Sequence, residues 1–137
     1  MFNKSSNKPS PIDSLIGAGT TITGDVNFTG GLRIDGTIKG NIKAVGDKPG
    51  TLVLSELAKV EGEIEVGNIV VNGTVAGPVR ASEYLELMPK ARVTGDVTYK
   101  TIEIHVGAIV MGRMVHIGEA RGSDKVIEFK SANNAQS

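Results

Sequence analysis

Apolar and polar positions alternate over an unusually long part of the chain. The even positions from Ile22 to Ile42 are all apolar residues or glycine, and the odd positions between them form a polar face. A period of two predicts β-strand. Laid straight, this run would measure on the order of 70 Å, whereas ordinary strands have about 5 or 6 residues. The chain must therefore bend, and the glycines on the inward phase are the residues that allow a sharp bend.

Glycines with apolar residues two positions away on both sides recur along the whole chain at a nearly constant spacing. They are Gly24, Gly40, Gly62, Gly77, Gly95 and Gly112. The longest interval, from Gly40 to Gly62, contains the turn signal DKPG at 47–50. The usual interval of about 17 residues accommodates three short strands and three bends, which predicts a three-sided parallel β-solenoid. About six coils at roughly 4.8 Å each would form a rod near 3 nm long.

One nine-residue pattern occurs twice, as IDGTIKGNI at 34–42 and as VNGTVAGPV at 71–79. The offset corresponds to two coils plus the inserted DKPG loop. We therefore expect the two copies to lie on the same side of the stack with one coil between them.

Composition narrows the class of protein. A chain of 137 residues with 39% hydrophobic residues and zero formal net charge is sufficient for one domain and offers no electrostatic attraction to nucleic acid. The absence of cysteine excludes disulfides and thiolate metal sites. No stretch is apolar for long enough to span a membrane, so we expect a cytoplasmic protein.

The two ends of the chain differ from its middle. Residues 1–13 and 119–137 are polar and are expected to be disordered tails around a β-helix at 14–118. Neither terminal coil shows the polar cap that soluble solenoids normally carry, so each end is expected to bind another copy of the same end. The predicted contact residues are Leu15, Ile16 and Ile22 at one end, and Ile109, Met111, Met114, Val115 and Ile117 at the other.

Candidate chemistry is sparse. The alternation places His105 outward between the inward Ile104 and Val106, and both His105 and His116 are interpreted as surface residues. Glu61, Glu63 and Glu65 are predicted to project outward from one strand. With no long loops to build a pocket, we predict no catalytic, metal or cofactor site.

The chain resembles the bactofilins, a family of bacterial cytoskeletal proteins, in three stretches that cover most of residues 15–112: TTITGDVNFTGGLRIDGTIKGNI, KVEGEIEVGNIVVNGTVAGPV and EYLELMPKARVTGDV. The resemblance implies a right-handed, three-sided β-helix with disordered tails. It also implies nucleotide-independent polymerisation through contacts between like ends, and a scaffold role at the inner face of the cytoplasmic membrane. The implied partners are the chain itself, inner-membrane lipids, and cell-wall hydrolases or other morphogenetic proteins.

Each tail carries one further hypothesis. Met1, Phe2 and Lys4 resemble the short membrane-targeting peptide of many bactofilins, although an ordinary disordered start remains an alternative. In the C-terminal tail, KVIEFK interrupts a polar segment. Val126, Ile127 and Phe129 could dock on the rod, recruit a partner protein, or be incidental.

A second class of solenoid stays open at this point. Ile16, Ile22, Phe28 and Ile34 recur every six residues, as in the left-handed β-helix of hexapeptide acyltransferases. Against this alternative, Val26, Leu32 and Ile38 occupy positions that need small residues. A transferase of this kind would act as a closed trimer, so its assembly would stop at three chains.

Overall fold

The computed structural model describes residues 10–118, all of whose regular elements are strands. The residues assigned above to membrane targeting and to tail docking lie outside this range. Within it, the chain winds through six successive coils of three strand segments each, as the glycine spacing predicted.

Coils 1, 2 and 6 contain only short strands, whereas β9 and β11 each run without interruption from one of the middle coils into the next. Coils 1 and 2 contain β1 (Ser14–Ile16), β2 (Thr21–Thr23), β3 (Val26–Phe28), β4 (Gly31–Ile34), β5 (Thr37–Lys39) and β6 (Ile42–Ala44). Coils 3 and 4 contain β7 (Thr51–Leu54), β8 (Lys59–Glu61), β9 (Ile64–Val71), β10 (Thr74–Ala76) and the start of β11 (Val79–Leu87). Coils 5 and 6 contain the end of β11, β12 (Arg92–Thr94), β13 (Val97–Tyr99), β14 (Ile102–Ile104), β15 (Ile109–Met111) and β16 (Met114–His116).

Three parallel stacks of strands form the three faces of the rod. The first face consists of β1, β4, β7, the second half of β9, the second half of β11, and β14. The second face consists of β2, β5, β8, β10, β12 and β15. The third face consists of β3, β6, the first halves of β9 and β11, β13 and β16. Strands of the inner coils therefore pair with the coil below and the coil above, and apolar residues stack on apolar residues.

The core lies in the middle coils. Among the described residues, the buried apolar side chains run from Leu32 to Tyr99 and form a single cluster. The inward side chains of coils 1 and 6, such as Ile22 and Val110, are only partly buried because they pack against a single neighbouring coil. Burial therefore decreases towards both ends of the rod.

The six glycines identified from the sequence stack at the corner between the second and third faces. The N–H of Gly77 donates a hydrogen bond to the carbonyl of Thr94 in the next coil at 2.8 Å. Gly77 has a φ of +148°, and a Cβ built on it would lie 2.2 Å from the carbonyl oxygen of Gly62 in the preceding coil. A side chain there would collide with backbone, so the stacking distance between coils requires glycine.

The repeated nine-residue pattern occupies corresponding positions in coils 2 and 4. Ile38 and Val75 both pair with Val60 of coil 3, which confirms the expectation that one coil separates the two copies. The inserted loop at 45–50 joins β6 to β7, as predicted.

Two details differ from the sequence-based expectations. Glu61, Glu63 and Glu65 are all exposed, but they lie on both sides of the Gly62 corner rather than on one strand, with Glu61 in β8 and Glu65 in β9. Val106 is 96% exposed in the turn between β14 and β15, because the alternation stops where the chain leaves the strand.

Residues placed in the predicted N-terminal tail already contact the rod. The N–H of Ser10 donates to Thr51 Oγ1 at 3.0 Å, and the N–H of Asp13 donates to the carbonyl of Gly31 at 3.2 Å.

Candidate functional site at the open ends of the rod

Each strand of the two terminal coils has one open edge. Within residues 10–118, β14, β15 and β16 pair only with strands of coil 5, and β1, β2 and β3 pair only with strands of coil 2. Open strand edges present backbone N–H and C=O groups that readily pair with another strand. Each end of the rod therefore offers three short strands for pairing.

The C-terminal end also presents apolar side chains. Ile102, Val110 and Met114 are partly buried in coil 6 and lie in register above Leu85, Val93 and Val97, which are fully or almost fully buried in coil 5. Ile104 is in register with Leu87 and remains 46% exposed. A layer packed above coil 6 would bury these side chains in the way that each coil buries the one before it.

The N-terminal end has a matching layer. Ile16, Ile22 and Val26 lie in register with Ile34, Ile38 and Ile42, and all three are only partly buried. Phe28 is also partly buried against the core. Both ends of the rod therefore combine an apolar layer with open strand edges.

The structure divides the predicted contact residues between the two terminal coils and between inward and outward positions. Ile16, Ile22 and Met114 belong to the inward layers. Four others follow the outward register: Leu15 with Arg33, Ile109 with Arg92, Met111 with Thr94, and Val115 with Thr98. Ile117 follows β16 and donates its N–H to the carbonyl of Tyr99 at 2.7 Å. In an edge-to-edge contact, these outward residues would lie beside outward residues of the partner's terminal strands and would not enter the apolar layer.

The sequence-based selection omitted several members of the end layers. Val26 and Phe28 were recognised as inward residues but not as part of the N-terminal end. Ile102, Ile104 and Val110 were not selected, although they follow Leu85, Leu87 and Val93 by one coil length and pair with them in the structure. That spacing is the signal that identifies them.

A hydrogen-bonded cluster on the first face joins coil 5 to coil 6. Glu86 and Glu103 face outward on paired strands, and Tyr84 OH is 3.3 Å from Glu86 Oε1 and 2.9 Å from Glu103 Oε1. His105 Nε2 lies 2.7 Å from Glu86 Oε2 and 3.5 Å from Glu103 Oε2. Burial and the two neighbouring carboxylates raise the pKa of Tyr84. Tyr84 and His105 therefore link the carboxylates of two adjacent coils through hydrogen bonds.

The two histidines occupy different environments. His105 faces outward in this cluster, as predicted. His116 is partly buried at the position in register with Tyr99, and the two rings lie 5.7 Å apart between centroids with a tilt of 55°. His116 therefore belongs to the inward layer of coil 6 rather than to the outer surface.

Polar side chains beside the stacked glycines tie neighbouring coils together. Asp25 Oδ1 accepts a hydrogen bond from the N–H of Asn41 at 2.9 Å, and Asn41 Oδ1 accepts one from the N–H of Glu63 at 2.9 Å. Near the C-terminal end, Asp96 Oδ1 accepts the N–H of Arg113 at 3.0 Å, and the guanidinium of Arg113 lowers the pKa of Asp96.

An open groove of about 440 Å³ lies on the first face. Its lining includes Val53, Leu57, Val70 and Met88, and Leu57 is 63% exposed. The groove is a second apolar surface, on the side of the rod rather than at an end.

None of the elements in residues 10–118 is a helix with the length and apolar character needed to cross a membrane.

The fold places the chain in the class of parallel β-solenoids. Within this class, the family model of the bactofilins, described as polymer-forming cytoskeletal, matches residues 14–115. The chain belongs to the bactofilin family.

Two curated relatives agree with this assignment. Bactofilin BacO of Myxococcus xanthus (strain DK1622) is 32% identical over 102 residues, which cover 74% of this chain and 78% of BacO. Bactofilin BacP of the same organism is 27% identical over 102 residues, which cover 74% of this chain and 41% of BacP. No solved structure matches the chain.

Proposed function

We propose that this bactofilin is a non-enzymatic scaffold that self-assembles end to end, without nucleotide, into filaments at the inner face of the cytoplasmic membrane. There it organises cell shape by recruiting cell-wall hydrolases or other morphogenetic proteins. The observation that carries the proposal is the pair of rod ends, each with an apolar layer and with strand edges that have no pairing partner within residues 10–118. Family membership favours this function over a trimeric acyltransferase.

The proposed contacts join like ends, coil 6 to coil 6 and coil 1 to coil 1. Each contact would add strand edges to strand edges and would bury the partly exposed inward residues of two coils. Burial of an apolar side chain stabilises by about 1.5–3 kcal/mol when it is complete, so the several half-buried side chains on each partner would help to offset the free-energy cost of association.

Substitution of Met114 by glutamate tests this arrangement because it places a charge in the inward layer of coil 6. Negative-stain electron microscopy should show filaments for the parent protein in buffer without nucleotide and no filaments for Met114→Glu. The matched control is Thr74→Glu, which adds the same charge at an exposed outward position of coil 4.

Light scattering after size exclusion then distinguishes the modes of contact. If like ends meet, Met114→Glu leaves the N-terminal contact intact and the protein forms dimers. Monomers would indicate that unlike ends meet. Filaments that persist in Met114→Glu would overturn the assignment of the C-terminal contact.

For membrane attachment, the proposal assigns Met1, Phe2 and Lys4. Burial of Phe2 and Met1 contributes at most a few kcal/mol, so a single chain would bind only transiently. A filament that displays many copies would bind tightly through multivalency. Phe2→Ala should therefore abolish co-sedimentation with anionic vesicles while filaments remain visible. Loss of the filaments themselves would contradict this separation of roles.

Partner recruitment is tested on assembled filaments. A recruited cell-wall hydrolase should co-sediment with the parent filaments and remain in the supernatant with Met114→Glu. Equal recovery of the enzyme in both supernatants would contradict the scaffold role.

A further inference from the structure

The chain leaves the described region directly beside the open edge of coil 6. Ile117 donates its N–H to the carbonyl of Tyr99, so it stands above the segment Lys100–Thr101 that leads from β13 to β14 in the coil below. The residues that follow Gly118 therefore start at the corner from which another coil would begin.

The coil spacing continues into this last part of the chain. On the second face, the inward residues Val75, Val93 and Val110 follow one another by one coil length each and pair in register. The step from Val93 to Val110, taken once more, leads to Ile127, which has Val126 before it and Glu128 after it. Valine and isoleucine are strongly favoured in strands, and the three residues correspond in position to Ile109–Met111 of β15.

The correspondence is limited to this one strand. The same step leads from Ile102 and Ile104 to Glu119 and Arg121, so charged residues would occupy the inward positions on the first face. It leads from Gly112 to Phe129, at the corner where a Cβ on Gly112 would lie 2.1 Å from the carbonyl oxygen of Gly95. A residue with a side chain cannot make this corner, so the chain could not continue to the third face.

We propose that Val126–Glu128 binds as one strand along the open edge of β15 in the same molecule. In this position Ile127 lies over Val110 and covers part of the apolar layer of coil 6. The backbone of β15 would gain hydrogen-bond partners, which is the usual mode of strand addition to a sheet edge. The length of chain is sufficient, because the segment between Gly118 and Val126 contains as many residues as the segment between Thr101 and Ile109.

The bound segment occupies the surface that the proposed end-to-end contact needs. This inference rests on the proposed assembly through coil 6, and it makes the C-terminal tail a competitor of a second copy. Only molecules with a free edge assemble, so the critical concentration for filament formation rises as the fraction of covered molecules increases.

Ile127→Asp tests the competition, with Asn134→Asp as the matched control that adds the same charge to the tail beyond the strand. Sedimentation over a range of protein concentrations gives the critical concentration. We expect Ile127→Asp to lower it several-fold and Asn134→Asp to leave it unchanged. An unchanged or raised value for Ile127→Asp would overturn the competition.

Hydrogen exchange below the critical concentration provides a readout that does not depend on assembly. Amides of Ile109–Met111 should exchange faster in Ile127→Asp than in the parent. Faster exchange at the first-face groove around Val53 and Leu57 instead would place the tail on the side of the rod and overturn the proposal, as would identical exchange throughout. If no variant forms filaments at any concentration, the proposed assembly fails, and the exchange at β15 still decides whether the segment binds there.

Discussion

Replacement of Gly77 by alanine should destabilise the rod more than the same replacement at Gly19, Gly24 or Gly40. The φ of Gly77, +148°, is a conformation that L-residues rarely adopt, and such strain costs about 1–3 kcal/mol. The new Cβ would also lie 2.2 Å from the carbonyl oxygen of Gly62, and this backbone atom can move only if the coils separate. Overpacking of this kind costs about 1–3 kcal/mol. The sum of about 2–6 kcal/mol is a large part of a typical stability of about 5–15 kcal/mol.

Three other glycines separate the two contributions. Gly24 has a φ of +131° with nothing within 4 Å of a built Cβ, so Gly24→Ala tests backbone conformation alone. Gly40 lies outside the left-handed region, but its Cβ would be 2.1 Å from the carbonyl oxygen of Gly24, so Gly40→Ala tests the collision alone. Gly19, in the same coil as Gly24, has neither feature and serves as the control.

The assay is urea denaturation followed by circular dichroism at a concentration below that of assembly. The free energy of unfolding of Gly19→Ala should match that of the parent. Gly24→Ala and Gly40→Ala should have lower values, and Gly77→Ala should have the lowest. If Gly77→Ala stays within about 0.5 kcal/mol of the parent, the stacked glycines do not set the distance between coils. If Gly40→Ala is as mild as Gly19→Ala, the collision is not the source of the cost.

Three further predictions concern single side chains. Leu85→Ala, at a fully buried position, should lower the free energy of unfolding by about 2–5 kcal/mol in denaturant titrations; a loss below about 1 kcal/mol would mean that the coils collapse around the cavity. Tyr84 has a raised pKa, so the unfolded chain releases this proton first and stability falls as the pH rises above about 10, by up to about 1.4 kcal/mol per pH unit. Tyr84→Phe should reduce that alkaline slope. The contribution of Tyr99 should remain, because burial also raises the pKa of Tyr99. An unchanged slope would contradict the raised pKa of Tyr84. Asp96→Ala should lower the melting temperature more than Arg113→Ala, because Asp96 also accepts a backbone N–H; the reverse order would show that the exposed ion pair matters more.

The sequence was sufficient to predict the architecture because two periodicities report directly on the backbone. Alternation identified Ile34, Ile38 and Ile42 as inward residues, and all three are buried. The spacing of glycines identified one corner of every coil, and their stacking in the structure confirms that assignment.

Contacts between coils were harder to predict because they depend on the register of each pair of strands. The register of β11 on β9 shifts between Ala81 and Tyr84, and no periodicity in the sequence signals that shift. The cluster of Tyr84, Glu86 and His105 depends on side-chain hydrogen bonds across the pair of β11 with β14, which spacing alone does not specify. Val106 was misplaced for a related reason, because alternation does not indicate where a strand gives way to a turn.

The loop at 45–50 offers a practical route to a labelled filament. Gly46, Asp47 and Lys48 are exposed, and the loop is anchored at its end by the hydrogen bond from the N–H of Gly67 to the carbonyl of Pro49 at 2.9 Å. The additional residues leave the pairing of β6 and β7 with their neighbours intact. This corner can therefore hold extra residues without a change in the pairing between coils. A fluorescent protein or a peptide epitope inserted after Asp47 would project sideways from the rod and leave both ends available.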